Sequence, residues 1–115
     1  MVFLGAILNA LSQPYMMHSE NLPHEGTWLQ WPHQYEYGLT YRNRLDSTWV
    51  AMTQALITSE KVHIIAYNST EQTRIIGLLG SAGVSLSNVD FFIIRTNDVW
   101  VRDNGPIFVL TYQVI

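Results

Sequence analysis

The stretch VDFFIIRT, residues 89–96, is a strand-length apolar segment before the turn residues 104–106. It is apolar at almost every position, which predicts a strand buried on both faces, as in a parallel sheet. A second run, KVHIIAY at residues 61–67, is rich in β-branched residues and has the length of a strand. Further strands are predicted in GTWLQWP, residues 26–32, which lies between Gly and Pro, and in PIFVLTYQVI, residues 106–115.

The segment before KVHIIAY shows helical spacing. Apolar residues recur at helical intervals across residues 44–58, which predicts a helix there. Its apolar stripe consists of Leu45, Trp49, Met52 and Leu56. The preceding HQYEYGLTYRN, residues 33–43, is predicted to be a loop, and residues 13–21 are predicted to be an irregular lead-in that Pro14 interrupts.

A second helix is predicted in STEQTRIIGLLGSAG, residues 69–83. Ser69 is expected to cap its first turn, with Gln72 reaching back to the cap as in a capping box. Gly83 is expected to end the helix, because glycine tolerates the left-handed conformation found there. The apolar face would hold Ile75, Ile76 and Leu79. Strands that alternate with helices indicate an α/β architecture, here a single domain across residues 1–115.

Composition limits the partners of the chain. Its 115 residues suit one domain, and 48% of them are hydrophobic. Only 13% are charged, against about 25% in typical soluble domains. We therefore expect a partner subunit, or chain outside this sequence, to cover part of the surface. A net charge of −3 with six basic residues does not provide the clustered positive charge that nucleic-acid binding needs.

The N-terminus and the lack of cysteine bear on location and chemistry. MVFLGAILNAL, residues 1–11, is apolar, but it has no basic flank and is too short to span a membrane. We expect residues 1–14 to be an apolar lead-in that is buried against another part of the protein. We also expect the protein to be cytoplasmic. The chain has no cysteine, which excludes disulfides, cysteine metal ligands and a cysteine nucleophile within it. We expect no cofactor, and no histidine pair has zinc-site spacing on one helix face.

The segment TNDVWVRDNGP, residues 96–106, follows the strand of residues 89–96. In open α/β sheets ligands bind at the carboxyl ends of strands, so this segment is well placed for a site. The carboxylate of Asp103 and the indole of Trp100 could form one wall of a pocket for a cation. Arg102 is expected to pair with Asp98 and hold the loop. The alternative is structural, because acids and amides in turns, here Asn97 and Asp98, often satisfy backbone N–H groups.

Two motifs resemble the agmatine deiminase family, the bacterial peptidylarginine-deiminase-like branch of the guanidino-group-modifying enzymes. YMMHSENLPHEGTW, residues 15–28, is similar to the family's Tyr-x-Met-Pro-Ala-Glu-x-x-Pro-His-Glu-Gly-Thr-Trp, with His18 and Ser19 in place of Pro-Ala. The family's string Asn-Asp-x-Trp-x-Arg-Asp-x-Gly-Pro is complete at residues 97–106. The resemblance runs over residues 15–109, most of the chain.

The resemblance implies a fold and a chemistry. The family fold is a pentein-like β/α propeller of repeated units around a central site, and this chain would form a partial propeller, roughly the first third. Members of the family hydrolyse a guanidinium to a ureido group and ammonia, through attack of a Cys thiolate on the guanidinium carbon and proton transfer by a His. By motif match, Asp103 is one of two acids that hold the guanidinium and Trp100 is a pocket wall. Asn97, Asp98 and Arg102 are supporting residues that position the loop.

The catalytic residues of the resembled family are missing from this sequence. The family places its Cys, its catalytic His and a second acid downstream of the Asn-Asp motif. The histidines here are His18, His24, His33 and His63, and all of them precede that motif. We interpret His24 and His33 as structural, and His63 as a strand residue whose ring is satisfied. The chain alone is therefore expected to be inactive.

The residues leave three interpretations open. The chain is the N-terminal portion of a deiminase that converts agmatine, or a related compound, to N-carbamoylputrescine and ammonia. Alternatively, it is a stand-alone truncated protein that self-associates through exposed strand edges into a homo-oligomer and has only a binding or structural role. A third possibility is a split enzyme, whose second polypeptide supplies His and Cys. The expected ligand is a small cationic guanidino compound, with neither nucleic acid nor membrane as partner.

Overall fold

The computed structural model describes residues 15–17, 19, 21–105 and 107–111. The predicted lead-in of residues 1–14 lies outside the described residues, as do His18, Glu20, Pro106 and residues 112–115. The chain divides into two compact units, of which the larger contains residues 23–106.

The smaller unit carries two short strands. They are β1 (Tyr15–Met16), which falls within the predicted irregular lead-in, and β5 (Leu110–Thr111). The strands pair antiparallel, with Tyr15 opposite Thr111. Residues 107–109, predicted to belong to a strand, are not part of one. The apolar pattern there predicted a strand but did not show at which residue the strand begins.

The larger unit contains a three-stranded parallel sheet. Its strands are β2 (Gly26–Gln30), β3 (Lys61–Ala66) and β4 (Val89–Ile93), hydrogen-bonded in that order. Both neighbouring pairs are parallel. Because parallel neighbours need a crossover connection, a helix follows β2 and another follows β3. The predicted α/β architecture is confirmed for this unit.

The first crossover helix, α1 (Gln34–Leu56), begins well before the predicted residue 44. The prediction of a loop at residues 33–43 is therefore wrong. Gly38 interrupts the helix with φ 68° and ψ 161°, a conformation that only glycine adopts without strain. The tyrosine-rich first part of α1 lacks an apolar stripe, so sequence periodicity could not reveal it.

The second crossover helix, α2 (Ser69–Ser81), is capped one residue earlier than predicted. Asn68 is the N-cap, and its side chain accepts a hydrogen bond of 2.8 Å from the Glu71 backbone N–H. Both Asn68 and Ser69 lie three residues before a Glu or Gln, so the sequence pattern fits either register. Gly83 ends the helix as predicted, with φ 73°. The Val84 N–H then bonds to the Leu79 carbonyl at 2.9 Å, the closing bond of a Schellman motif.

The hydrophobic core lies between the sheet and the two crossover helices. β3 is the central strand, and Val62, Ile64 and Ala66 are fully buried on its helix-facing side. Ile75 and Leu79 of α2 are fully buried as well, as predicted. Members of the predicted α1 stripe that pack on this cluster are Trp49, Met52 and Leu56.

β4 is less buried than its sequence predicts. Phe92, Ile93 and Ile94 are 38%, 53% and 49% exposed, so the prediction of burial on both faces is wrong for the described structure. The strand lies at one edge of the three-stranded sheet, and Phe92 lies beside Trp28, with ring centroids 4.9 Å apart. An apolar run indicates a strand but does not say whether the strand is central.

A buried ionic network joins α1 to α2. Arg42 on α1 donates to Glu71 at 2.8 Å, and Arg74 donates to Glu71 at 2.7 Å and to Asp46 at 2.6 Å. The other oxygen of Asp46 accepts the Trp31 indole N–H at 2.8 Å. Arg42, Asp46 and Glu71 are all less than 10% exposed. This network holds the two crossover helices together on one face of the sheet.

Candidate functional site

The predicted site residues lie in the segment that follows β4, residues 96–105, which we call the site segment. It includes a one-turn helix, α3 (Val101–Asn104), where the sequence indicated a turn. Since β2, β3 and β4 are parallel, their carboxyl ends meet at one edge of the sheet, and the site segment begins there. This is the edge at which open α/β sheets bind ligands.

Two buried side chains, those of Gln30 and His33, form hydrogen bonds with the site segment. His33, 2% exposed, contacts the carbonyl oxygen of Thr96 through Nε2 at 2.8 Å. Gln30, 1% exposed, donates from Nε2 to the Asp98 carbonyl at 3.2 Å and to Asp98 Oδ1 at 3.4 Å. Sequence reasoning missed Gln30 altogether, and it interpreted His33 as structural without identifying what it holds. The signal that the sequence offered was a pair of polar residues, Gln30 and His33, on either side of Trp31 and Pro32.

Asp98 organises the site segment from within. Its Oδ1 accepts the Trp100 backbone N–H at 3.0 Å and the Asn104 side-chain amide at 2.8 Å, in addition to Gln30. These hydrogen bonds come from a backbone amide and two side-chain amides, and the expected pair between Asp98 and Arg102 stays a prediction. They match the turn-forming role that sequence reasoning kept as its alternative for Asp98.

Trp100 and Asp103 lie at solvent. Trp100, immediately before α3, is 64% exposed, and Asp103 lies in the first turn of α3 and is also exposed. The Asp103 N–H bonds to the Trp100 carbonyl at 2.9 Å, which fixes the backbones of the two residues relative to each other. Arg102 is exposed on the same turn. An accessible carboxylate and an accessible indole three residues apart can both contact one planar cation.

A cavity of about 490 Å³ opens at the carboxyl ends of the strands beside the site segment. Its lining residues are Trp28, Gln30, Ile65, Ile94, Arg95, Thr96, Asn97 and Asn104. Asn97, predicted to be a supporting residue, therefore contributes to this cavity, whereas Trp100 and Asp103 are not among its lining residues. Arg95 also lies over the Tyr67 ring, with its guanidinium carbon 5.9 Å from the ring centroid.

A tyrosine of α1 responds to the charge of the site segment. Burial raises the pKa of the Tyr37 hydroxyl, and the negative charge of Asp98 raises it further. A hydrogen bond with the backbone of Val99 acts in the opposite direction but does not cancel these effects. The first part of α1, predicted to be a loop, thus lies against the site segment.

The other histidines of the larger unit lie in different surroundings. His24 Nε2 is 2.7 Å from Glu60 Oε2, an oxygen that also accepts the Thr27 hydroxyl at 2.9 Å. His63 Nδ1 is 3.3 Å from Asp90 Oδ2, within ion-pair distance, but it has no hydrogen-bond partner among the described residues. The expectation of a satisfied ring is therefore not met at this nitrogen. Within residues 15–17, 19, 21–105 and 107–111, no group of His, Asp and Glu has an arrangement that could hold a metal ion.

The helices of the larger unit also bear on the question of a membrane. Across the part of the chain that the structure describes, no helix combines the length and apolar character required to cross a bilayer.

Comparisons with known proteins agree with the motif resemblance. Residues 16–115 match the family of Porphyromonas-type peptidyl-arginine deiminases. Over 96 residues the chain is 29% identical to an agmatine deiminase of Stutzerimonas stutzeri (strain A1501), covering 84% of this chain and 24% of that protein. An agmatine deiminase of Pseudomonas aeruginosa (strain LESB58) is 27% identical with the same coverage. The chain thus spans about a quarter of the length of these curated relatives.

Solved structures give the same result for the fold. An agmatine deiminase variant of C. jejuni with substrate bound matches with a TM-score of 0.68 at 22% identity, covering 95% of this chain and 28% of that one. A second structure of C. jejuni agmatine deiminase matches with a TM-score of 0.64 at 23% identity, covering 91% of this chain and 34% of that one. At these identities the likeness shows a shared fold.

Proposed function

Because the chain belongs to the family of Porphyromonas-type peptidyl-arginine deiminases, we propose that it forms part of a guanidino-group deiminase. In that enzyme it supplies one wall of the guanidinium pocket. The observation that carries this proposal is the pairing of an exposed acid, Asp103, with an exposed indole, Trp100, on one anchored segment at the carboxyl ends of the strands. The relatives named agmatine deiminase make agmatine the first guanidino compound to test.

The chemistry of this wall is recognition. A guanidinium is planar and carries its N–H donors in a fixed fork, so a carboxylate can accept two of them in parallel. An indole face attracts the same cation within a few ångströms through its π electrons. Asp103 and Trp100 therefore bind and orient the guanidinium. Asn97, Asp98 and Arg102 support the segment that carries them.

The reaction adds water to the guanidinium and releases ammonia, leaving a ureido group on the substrate. In the family mechanism a thiolate attacks the guanidinium carbon and ammonia leaves, after which water displaces the thiolate. The 115 residues contain no cysteine, so the nucleophile lies outside them, either in the remainder of a longer chain or in a second polypeptide. In this proposal the larger unit is one module of a β/α propeller in a cytoplasmic enzyme.

The test measures agmatine binding to the purified chain by calorimetry or by NMR titration. The Asp103→Asn variant removes the charge and keeps the shape, and we expect it to lower the affinity at least about tenfold, because a charge-assisted hydrogen bond is lost. Asp90→Asn is the matched control, since Asp90 is also an exposed acid of the larger unit but lies on β4. It should leave the affinity unchanged.

The ligand series tests the guanidinium itself. Putrescine keeps an ammonium at each end but lacks the guanidinium, so it should bind more weakly than agmatine. Equal affinity of the Asp103→Asn variant and the unaltered chain for agmatine would contradict the role of Asp103. Equal binding of putrescine and agmatine would contradict the recognition of a guanidinium.

A second candidate function is self-association, which the exposed edge of the sheet favours. β4 leaves Phe92 and Ile93 exposed at the edge, and an unprotected apolar edge invites pairing with another strand. The edge predicted from sequence was the strand at residues 106–115, of which residues 107–111 are described and only β5 is a strand. Light scattering distinguishes a monomer from an oligomer. A mass of one chain, 13.2 kDa, would contradict self-association.

A further inference from the structure

We propose that Gln30 is a positioning residue for ligand binding, which acts through Asp98 to fix the part of the site segment that carries Trp100 and Asp103. This role rests on the proposed function, because the positioned residues are those proposed to hold the guanidinium. Gln30 is 1% exposed and contributes to the lining of the cavity beside the site segment.

Gln30 is held rigidly by the sheet and by α1. It is the last residue of β2, and its carbonyl accepts the Trp49 indole N–H at 2.8 Å. The next residue, Trp31, continues the contact with β3 through a bond from its N–H to the Ile65 carbonyl at 3.0 Å. The side chain of Gln30 therefore projects from a backbone that is fixed on both sides.

The amide of Gln30 has only one possible orientation. Its partners on Asp98 are a carbonyl oxygen at 3.2 Å and a carboxylate oxygen at 3.4 Å, and both are acceptors. Only the NH₂ group of a glutamine can donate, so Nε2 must face Asp98 and Oε1 must face away. A glutamate or an apolar residue at this position could not make either bond.

Asp98 links the end of β2 to the site segment through hydrogen bonds. Its Oδ1 accepts the Trp100 N–H at 3.0 Å and the Asn104 amide at 2.8 Å, at the two ends of the stretch that contains Asp103. The same oxygen accepts from Gln30. One carboxylate oxygen thus joins the end of β2 to both ends of the ligand-binding stretch.

The buried carbonyl oxygen of the Gln30 side chain also supports this role. Oε1 is buried and has no hydrogen-bond partner among the described residues. A buried acceptor without a partner destabilises the native state, whereas an apolar residue of the same shape would avoid that loss. Packing alone therefore does not explain a glutamine here, but the two bonds from Nε2 to Asp98 do.

The Gln30→Met variant tests the proposal, since methionine has nearly the same shape and no amide. Backbone ¹⁵N order parameters are measured for residues 99–104 and for β3 in both proteins. We expect values of about 0.85 throughout the unaltered chain, and values below about 0.6 for residues 99–104 of the variant, with β3 unchanged. The affinity for agmatine should fall roughly tenfold, as a misplaced acid loses its charge-assisted bond.

Two further variants separate positioning from general stability. Gln54→Met, a substitution of an exposed glutamine on α1, should change neither the order parameters nor the affinity. Gln30→Lys keeps an N–H donor for Asp98 and removes the acceptor, so it should restore ordered residues 99–104. If Gln30→Met does not fold, Gln30→Lys and Asp98→Ala supply the comparison, because Asp98→Ala removes the Oδ1 acceptor that all three bonds share and should disorder residues 99–104.

The outcomes distinguish this inference from the proposed function. Order parameters of residues 99–104 that stay near 0.85 in the folded Gln30→Met or Asp98→Ala variant would overturn the positioning role, whatever the ligand affinity. An equal loss of order in β3 would also overturn it, because Gln30 would then act on the whole fold. If the unaltered chain does not bind agmatine while the order parameters change as expected, the proposed function fails and the mechanical link remains.

Discussion

The larger unit uses charged side chains in two contrasting ways. Between α1 and α2, Arg42, Asp46, Glu71 and Arg74 are largely or fully buried, and each is matched to an opposite charge within 2.8 Å. In the site segment, Asp103 is exposed at solvent. Burial removes water, so the first set must satisfy itself within the protein. Exposure leaves the carboxylate of Asp103 accessible to a cation from outside.

The pKa of Arg74 shows how the acids of this buried network act on its guanidinium. Burial by itself lowers the pKa of a guanidinium, but the hydrogen bonds to Glu71 and Asp46 and the charges of these two acids raise the pKa of Arg74 overall. The ionised form is therefore the one that the native structure favours. Charges in this unit thus stabilise the fold where helices cover them. Where the strands end, the charge of Asp103 stays accessible to solvent.

Breaking the buried set should have the largest effect on stability. Glu71→Gln removes the charge that both Arg42 and Arg74 contact, leaving buried guanidinium charge uncompensated. We expect the free energy of unfolding to fall by about 3 kcal/mol. Glu25→Gln is the matched control, because Glu25 is 77% exposed and only 3.6 Å from Lys61. It should change the stability by less than about 0.5 kcal/mol, measured by urea denaturation.

Similar losses in the two Glu→Gln variants would remove the distinction between buried and exposed charges. A stable Glu71→Gln variant would mean that water or a rearranged Asp46 compensates the two arginines.

The cap of α2 should have a smaller effect. Asn68 accepts the backbone N–H of Glu71 and so fixes the turn that carries this acid. Asn68→Ala should lower the free energy of unfolding by about 1 kcal/mol. Ser69→Ala should change it by less than about 0.5 kcal/mol, since Ser69 is exposed and is the first helical residue rather than the cap. Thermal denaturation of both variants decides, and a larger loss for Ser69→Ala would restore the register predicted from sequence.

The smallest effect should be the pH dependence contributed by Tyr37. Its pKa is raised above the ordinary value of 10.0, so the native state holds the phenol proton more tightly than the unfolded chain does. This contribution to stability is fully present below pH 10.0 and is lost as the pH rises through the raised pKa of the native state.

Tyr37→Phe removes this titration. The stability advantage of the unaltered chain over Tyr37→Phe should shrink as the pH increases from about 9 to about 11, measured by chemical denaturation. The Asp98→Asn variant should weaken the trend, because the charge of Asp98 is one cause of the shift. An advantage that grows with pH over this range would show that the sign is wrong.

Local patterns predicted most elements of the larger unit. The β-branched run of β3 and the apolar stripe of Trp49, Met52 and Leu56 lie within single elements, so neighbouring residues were enough to reveal them. Gly83 was predicted as a helix stop for the same reason, because its role depends on its own φ. The first part of α1 was missed because Gly38 and the surrounding tyrosines give no helical period.

The residue types of the segment after β4 drew attention to it, but the contacts that hold this segment could not be predicted. The positions of Trp100 and Asp103 after β4 follow from their place in the sequence, and the structure finds both exposed there. The contacts from Gln30 and His33 could not be predicted, because 68 and 63 residues separate these side chains from their partners.

The sequence by itself determined the alternation of strands and helices, the end of α2 at Gly83 and the two motifs shared with the deiminase family, since each depends only on nearby residues. The tertiary structure decided that β3 rather than β4 is the central strand, that Arg42 and Arg74 share Glu71, and that Gln30 holds Asp98. These features arise when residues distant in the chain lose water together, and the partners of their buried polar groups are then supplied only by the folded geometry.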